Sequence, residues 1–239
     1  MGTPENRPPG LGPPQQLNFK VAAQQALEIA RNNSTEQLIW LGAHPTQNKW
    51  ALSVLNELLI ADFADGFVYN SDGRRCGVWW QILTLHYLGL AERPAEQVPA
   101  VTFADLPDGR FYAPILHLRS TARLCRTVGL HKQALRGAGL NLGGQEVPAG
   151  DLGFEFQVFP RIRLRLVWHA GDEEFAPYAN ILLPPNIQSF FCAEDIVVLC
   201  ERLVSRLLGG SFRSSGPGQG RDVRSRRRVF RAALQPLAA

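Results

Sequence analysis

Nowhere in the 239 residues is there a run of about 20 apolar residues, the length needed to cross a bilayer as a helix. The first 14 residues are rich in proline and glycine and carry no apolar core, so they do not read as a secretory signal. A cytoplasmic location is the resulting expectation. Cysteine is scarce: Cys76, Cys125, Cys192 and Cys200 include no C-x-x-C pair. Their spacing matches neither a zinc ribbon nor an iron–sulfur cluster. They are expected to be small buried hydrophobes, free of disulfides in a reducing compartment. Also missing are G-x-x-x-x-G-K-[ST], G-x-S-x-G, H-E-x-x-H and a G-x-G-x-x-G after a strand. This argues against the common nucleotide-binding, serine-hydrolase and zincin chemistries. No internal repeat is present.

Broad basicity is missing as well, despite a net charge of +4. Residues 211–239 hold seven arginines and one aspartate, more than the whole excess, so residues 1–210 are slightly acidic. A nucleic-acid-binding fold would carry a basic face of its own. Nucleic acid therefore enters only as a weak partner for the arginine-rich tail.

At 45% apolar and 19% charged, the chain has material for a sizeable core. Residues 1–14 are expected to be a disordered lead-in, 15–210 one α+β domain, and 211–239 a disordered arginine-rich tail. Apolar residues at helical spacing predict a helix over 17–31. Ser34 with Gln37 reads as a capping box for a short helix ending at Gly42. Strands are expected within 50–70, with a turn at Asp65-Gly66. A buried helix should follow over 78–90, and a short edge strand at 101–103. Helices over 111–128 and 132–138 would stop at Gly129 and Gly139, and 141–151 reads as a loop.

The clearest pattern comes next. Phe154 and Phe156 alternate with Glu155 and Gln157, and Ile162, Leu164, Leu166 and Trp168 alternate with Arg161, Arg163 and Arg165. This predicts an antiparallel pair turning near Phe159-Pro160. A short strand at 181–183 and an amphipathic helix over 193–208 complete the reading. The apolar stripe of that helix is Ile196, Leu199, Leu203 and Leu207. The fold class is α+β, an antiparallel sheet packed with helices.

The segments Phe159-Pro-Arg-Ile-Arg-Leu-Arg-Leu-Val-Trp168, Gly171-Asp-Glu-Glu-Phe175, Ala179-Asn-Ile-Leu-Leu183 and Glu194-Asp195 resemble the closing half of domain of unknown function 3786, a bacterial and archaeal family. Leu85-His-Tyr-Leu88, Val101-Thr-Phe-Ala-Asp-Leu-Pro-Asp-Gly109, and Leu142-Gly-Gly144 before Gly150-Asp151 extend the resemblance to roughly residues 17–208. Some relatives carry an iron–sulfur segment like that of corrinoid proteins. The resemblance thus implies a loose association with corrinoid or one-carbon metabolism. That four-cysteine motif is not in this sequence, and Pro184 stands where relatives often have Asp, so neither supplies a ligand here.

Candidate chemistry centres on Trp168, His169, Asp172, Glu173 and Glu174 at the end of a strand, with Glu194 as a further donor. One imidazole and several carboxylates within six residues suit a divalent metal, with His169 and Asp172 as ligands, or a proton-sharing acid–base pair. The same residues also read as a turn capped by Asp172, with glutamates solvated or paired to Arg161, Arg163 and Arg165. Trp168 and Phe175 are expected to anchor the turn in the core. His86 reads either as a core histidine or as an axial ligand for a haem or corrinoid. Tyr87 reads as packing. The arginine row suits phosphate or carboxylate, or else cross-strand pairing with Glu155. Cys192 lies before a helix N-terminus, which lowers a thiol pKa, yet the adjacent Phe190-Phe191 points to burial. The leading expectation is a non-catalytic accessory domain that binds a protein or small molecule near 168–175. The competing one is a metal-dependent enzyme using His169, Asp172, Glu173 and Glu194.

Overall fold

The computed structural model describes residues 16–95, 98–107, 109–128 and 131–213. The expectations for 1–14 and Gly129, and that for the tail from 214 onward, lie outside the described residues. The α+β class holds, as two four-stranded antiparallel sheets and seven α-helices among the described residues.

Helix α1 (Gln16–Arg31) turns its Ala26, Leu27 and Ala30 inward. Helix α2 (Thr35–Trp40) starts at Ser34, whose Oγ accepts the Gln37 N–H at 3.1 Å. The box is half made. The Gln37 side chain instead donates to the Leu90 carbonyl and accepts from Arg93 Nε. Gly42, at φ +83°, ends the turn, and a Cβ there would lie 2.5 Å from Pro160.

The first sheet runs β1 (His44–Thr46), β2 (Lys49–Val54), β3 (Glu57–Asp62), β4 (Phe67–Tyr69) in that order. The expected strand region is therefore three strands, with β1 added before them. The extra turn is Leu55-Asn56, both at positive φ, the geometry that matches strand twist in a two-residue hairpin. No glycine marks it, which hid it in the sequence. Helix α3 (Val78–Leu88) is buried on nearly all faces, as its unbroken apolar character requires.

Val101 makes a single bridge to Leu183 in place of a strand, and Phe103–Asp105 is a 3-10 turn. The helix expected over 111–128 is two, α4 (Gly109–Arg119) and α5 (Thr121–Val128), meeting at Ser120, whose hydroxyl bonds back to the Leu116 carbonyl. Helix α6 (Lys132–Asn141) runs through Gly139. That glycine is a packing requirement and no stop, since a Cβ would meet the Phe154 ring at 2.6 Å.

The second sheet is β5 (Gln145–Val147), β6 (Leu152–Phe159), β7 (Ile162–His169), β8 (Tyr178–Leu182). Strand β5 lies in the expected loop. The β6–β7 hairpin pairs Glu155 with Arg165 and Phe159 with Ile162. On β7, Ile162, Leu164, Leu166 and Trp168 face the core, while Arg163, Arg165, Val167 and His169 face outward.

Tyr87 of α3 joins the parts. Its hydroxyl donates to the Leu41 carbonyl at 2.6 Å and accepts the Arg161 N–H at 3.1 Å, and its ring stacks on Phe159 at 4.5 Å. Helix α7 (Ala193–Leu207) closes the fold. A one-sided stripe was expected, but Asp195 through Ser205 are all buried, because α3, α4, α5 and α6 surround the helix. The packed chain continues to Phe212, whose ring lies 4.6 Å from that of Trp80. No helix among the described residues is long and apolar enough to cross a membrane.

Candidate functional site

Strand β7 ends at the acidic turn. Trp168 is fully buried, and its Nε1 has no hydrogen-bond partner. His169 points the other way and is half exposed. Its Nδ1 lies 4.0 Å from Asp151 Oδ2, and its ring stacks loosely on Tyr178 at 6.4 Å. Asp151 is already engaged, accepting the Ala170 N–H at 2.8 Å.

Asp172 caps the turn. Its Oδ1 accepts the Phe175 N–H at 2.7 Å and the Glu174 N–H at 2.9 Å. Those backbone donors, Phe175 first, hold its carboxyl below the usual aspartate range. Glu173 and Glu174 are exposed. Phe175 is not a core anchor: 70% of it is exposed, because the cap turns the chain back before its ring can reach the core. Glu194, on the first turn of α7, lies 3.8 Å from Arg119, with no hydrogen bond or ion pair to the turn. Among the described residues, no three His, Cys, Asp or Glu side chains are grouped so as to hold a metal.

The arginine row faces a cleft of ≈ 480 Å3 on the same outer side of the sheet. Glu155 reaches both neighbours across the ladder, Oε1 to Arg163 at 3.5 Å and Oε2 to Arg165 at 3.1 Å. Arg161 sits in the hairpin turn and goes elsewhere. Its Nε donates to the Trp40 carbonyl at 2.7 Å, and its guanidinium lies 4.7 Å over the Trp40 ring. A second cleft, ≈ 470 Å3, lies between α6 and the end of α7, lined by Ala134, Gly137, Ala138 and Arg206 among others.

A polar network along α7 carried no sequence motif. His86 Nδ1 lies 2.7 Å from Asp195 Oδ2, and its side chain is partly exposed, so His86 is a carboxylate-paired residue and not a wholly buried core histidine. Glu201, only 3% exposed, receives Arg119 at 2.6 Å and also Arg202. Arg206 pairs with Glu57 and donates to the Gly210 carbonyl at 2.7 Å. In the sequence Asp195 reads as a further oxygen donor to the acidic turn or as an acid suited to a helix start. Its partner is 109 positions away, and that of Glu201 is 82 away. No local pattern encodes such pairs.

The four thiols are free. Burial pushes Cys76 and Cys200 up to about 12, and it raises Cys125. Cys192 is exposed, which corrects the expectation of burial. Dehydration of its sulfur nonetheless raises its pKa, and the Asp195 carboxylate adds to this, outweighing the Asp195 and Glu194 backbone N–H groups. None is therefore a ready thiolate at neutral pH.

Residues 36–206 match a family model described as "Domain of unknown function (DUF3786)". No curated protein and no solved structure matches the chain.

Proposed function

The chain belongs to the family described as Domain of unknown function (DUF3786), and from that premise we propose that it is a non-catalytic binding domain whose ligand face is the outer side of the second sheet. The observation carrying this reading is the continuity of that face. Arg163, Arg165 and His169 project from one strand, with the ≈ 480 Å3 cleft at one end and the Asp172 turn at the other. Rigid strands hold these groups, while the thiols are protonated and the turn carboxylates are capped or solvated. An accessory role next to corrinoid or one-carbon chemistry is part of the proposal only through the relatives that the sequence resembles.

The test is a screen of pooled metabolites and of zinc, iron, manganese and cobalt against the full chain, read by amide chemical shifts. Saturable shifts concentrated at 163–175 without turnover are expected. Shifts confined to the α6–α7 cleft would relocate the site and defeat the reading. A specific turnover abolished by Asp172→Asn would establish instead the metal-dependent enzyme built on His169, Asp172 and Glu173.

A further inference from the structure

The cleft on the outer face carries more positive charge than its surroundings use. Three guanidiniums, from Arg161, Arg163 and Arg165, line it beside one carboxylate, that of Glu155, which pairs with Arg163 and Arg165. Arg161 makes no ion pair among the described residues, and its orientation is fixed by the Trp40 carbonyl and ring. The Arg165 Nε is buried and has no acceptor. A buried donor left unpaired is a standing cost, while the exposed part of the same side chain lines the cleft.

Glu155 also shows what the site accepts. One carboxylate bridges two arginines, a separate oxygen to each, so both forks already converge on a single anion. Arg163 and Arg165 leave the strand roughly 7 Å apart, the repeat of alternate residues, with Arg161 beyond them in the turn. That spread suits a ligand with more than one anionic group. Val98, Leu182 and Pro184 supply apolar wall, and the volume lies within the range of small-molecule sites. The charge is local, since residues 1–210 are slightly acidic as a whole. A nucleic-acid strand would need a basic track beyond the cleft.

We propose that this cleft binds a small polyanion, a molecule bearing two or more phosphate or carboxylate groups, with Arg161, Arg163 and Arg165 as its ligand-holding residues and Glu155 as a resident competitor. This rests on the outer sheet face being the ligand face. Guanidinium recognises phosphate and carboxylate alike, so the probes separate the two sources.

Calorimetry on the full chain at low and moderate salt would use inorganic tripolyphosphate and citrate as probes. Saturable one-to-one binding of at least one of them is expected. The stronger binder identifies the phosphate or the carboxylate source. Arg163→Gln and Arg165→Gln should each weaken it by about tenfold or more, the loss of a charge-assisted contact. Glu155→Gln should tighten it several-fold. Arg163 is largely exposed, so its variant separates binding from folding.

No heat with either probe overturns the proposal. So does binding that ignores Arg163→Gln and Arg165→Gln but vanishes when Arg226, Arg227 and Arg228 of the tail become glutamine, and so does weaker binding in Glu155→Gln. If the polyanions fail while another ligand binds and is lost in His169→Ala, the broader reading of the face survives without this one. If nothing binds the face, both fall.

Discussion

The turn after β7 and the body of α7 both concentrate acidic side chains. Asp172, Glu173 and Glu174 stand in the first, and Glu194, Asp195 and Glu201 in the second. At the turn, the acids answer only to their own backbone: Asp172 takes two N–H groups from residues two and three places on, and its neighbours meet water. On α7, Asp195 and Glu201 are buried and meet His86 and Arg119, brought in from α3 and α4. Burying a charge is tolerated only with a partner in place, so the second group is fixed by the fold in a way the first is not. The residue types are the same. What differs is whether other elements close over them, and with it the energetic consequence of losing each one.

The sharpest way to break this contrast is Glu201→Ala. It removes the buried carboxylate that Arg119 and Arg202 both reach and should cost about 3–5 kcal/mol in a urea or guanidinium titration. A loss under about 1 kcal/mol would mean that the α7 pairs are as dispensable as surface ones. Next is Tyr87→Phe, which removes one hydroxyl serving both Leu41 and Arg161. A loss of about 1–3 kcal/mol is expected, together with movement of the Arg161 amide resonance. Unchanged stability would show that the ring stack on Phe159 alone joins α3 to the hairpin.

The smallest effect belongs to the turn. Because Asp172 is held below the ordinary aspartate range when folded, its contribution is complete above the unfolded-state value and fades as the pH falls through the folded one. Asp172→Ala should therefore cost a small amount of stability near neutral pH, a difference from the parent that shrinks away in acid, below about pH 4. Thermal melts between pH 2 and 7 on the two proteins would check this. A difference that grew toward low pH would reverse the assigned sign.

Much of the scaffold was readable beforehand. The β6–β7 hairpin followed from strict alternation, and Ser34 and Gly42 marked the ends of α2 through local chemistry. The errors share a physical cause. Gly139 looked like a stop because its packing against Phe154 is invisible in sequence. Leu55-Asn56 turns without glycine, and Phe175 looked like a core residue because an apolar side chain after a strand usually is one. In the candidate site, the arginine row and its Glu155 partner were legible from period two. The role of Trp40, more than a hundred residues earlier, was not.

By itself, then, the sequence determined the alternation of β7, the caps of the short helices and the acids at the strand end. These depend on neighbours a few residues apart, where backbone geometry dictates who meets whom. Tertiary structure alone decided that α7 is a buried hub of ion pairs and that three arginines share a cleft with one carboxylate. Those outcomes depend on desolvation and on partners far along the chain, and neither exists until the elements have packed.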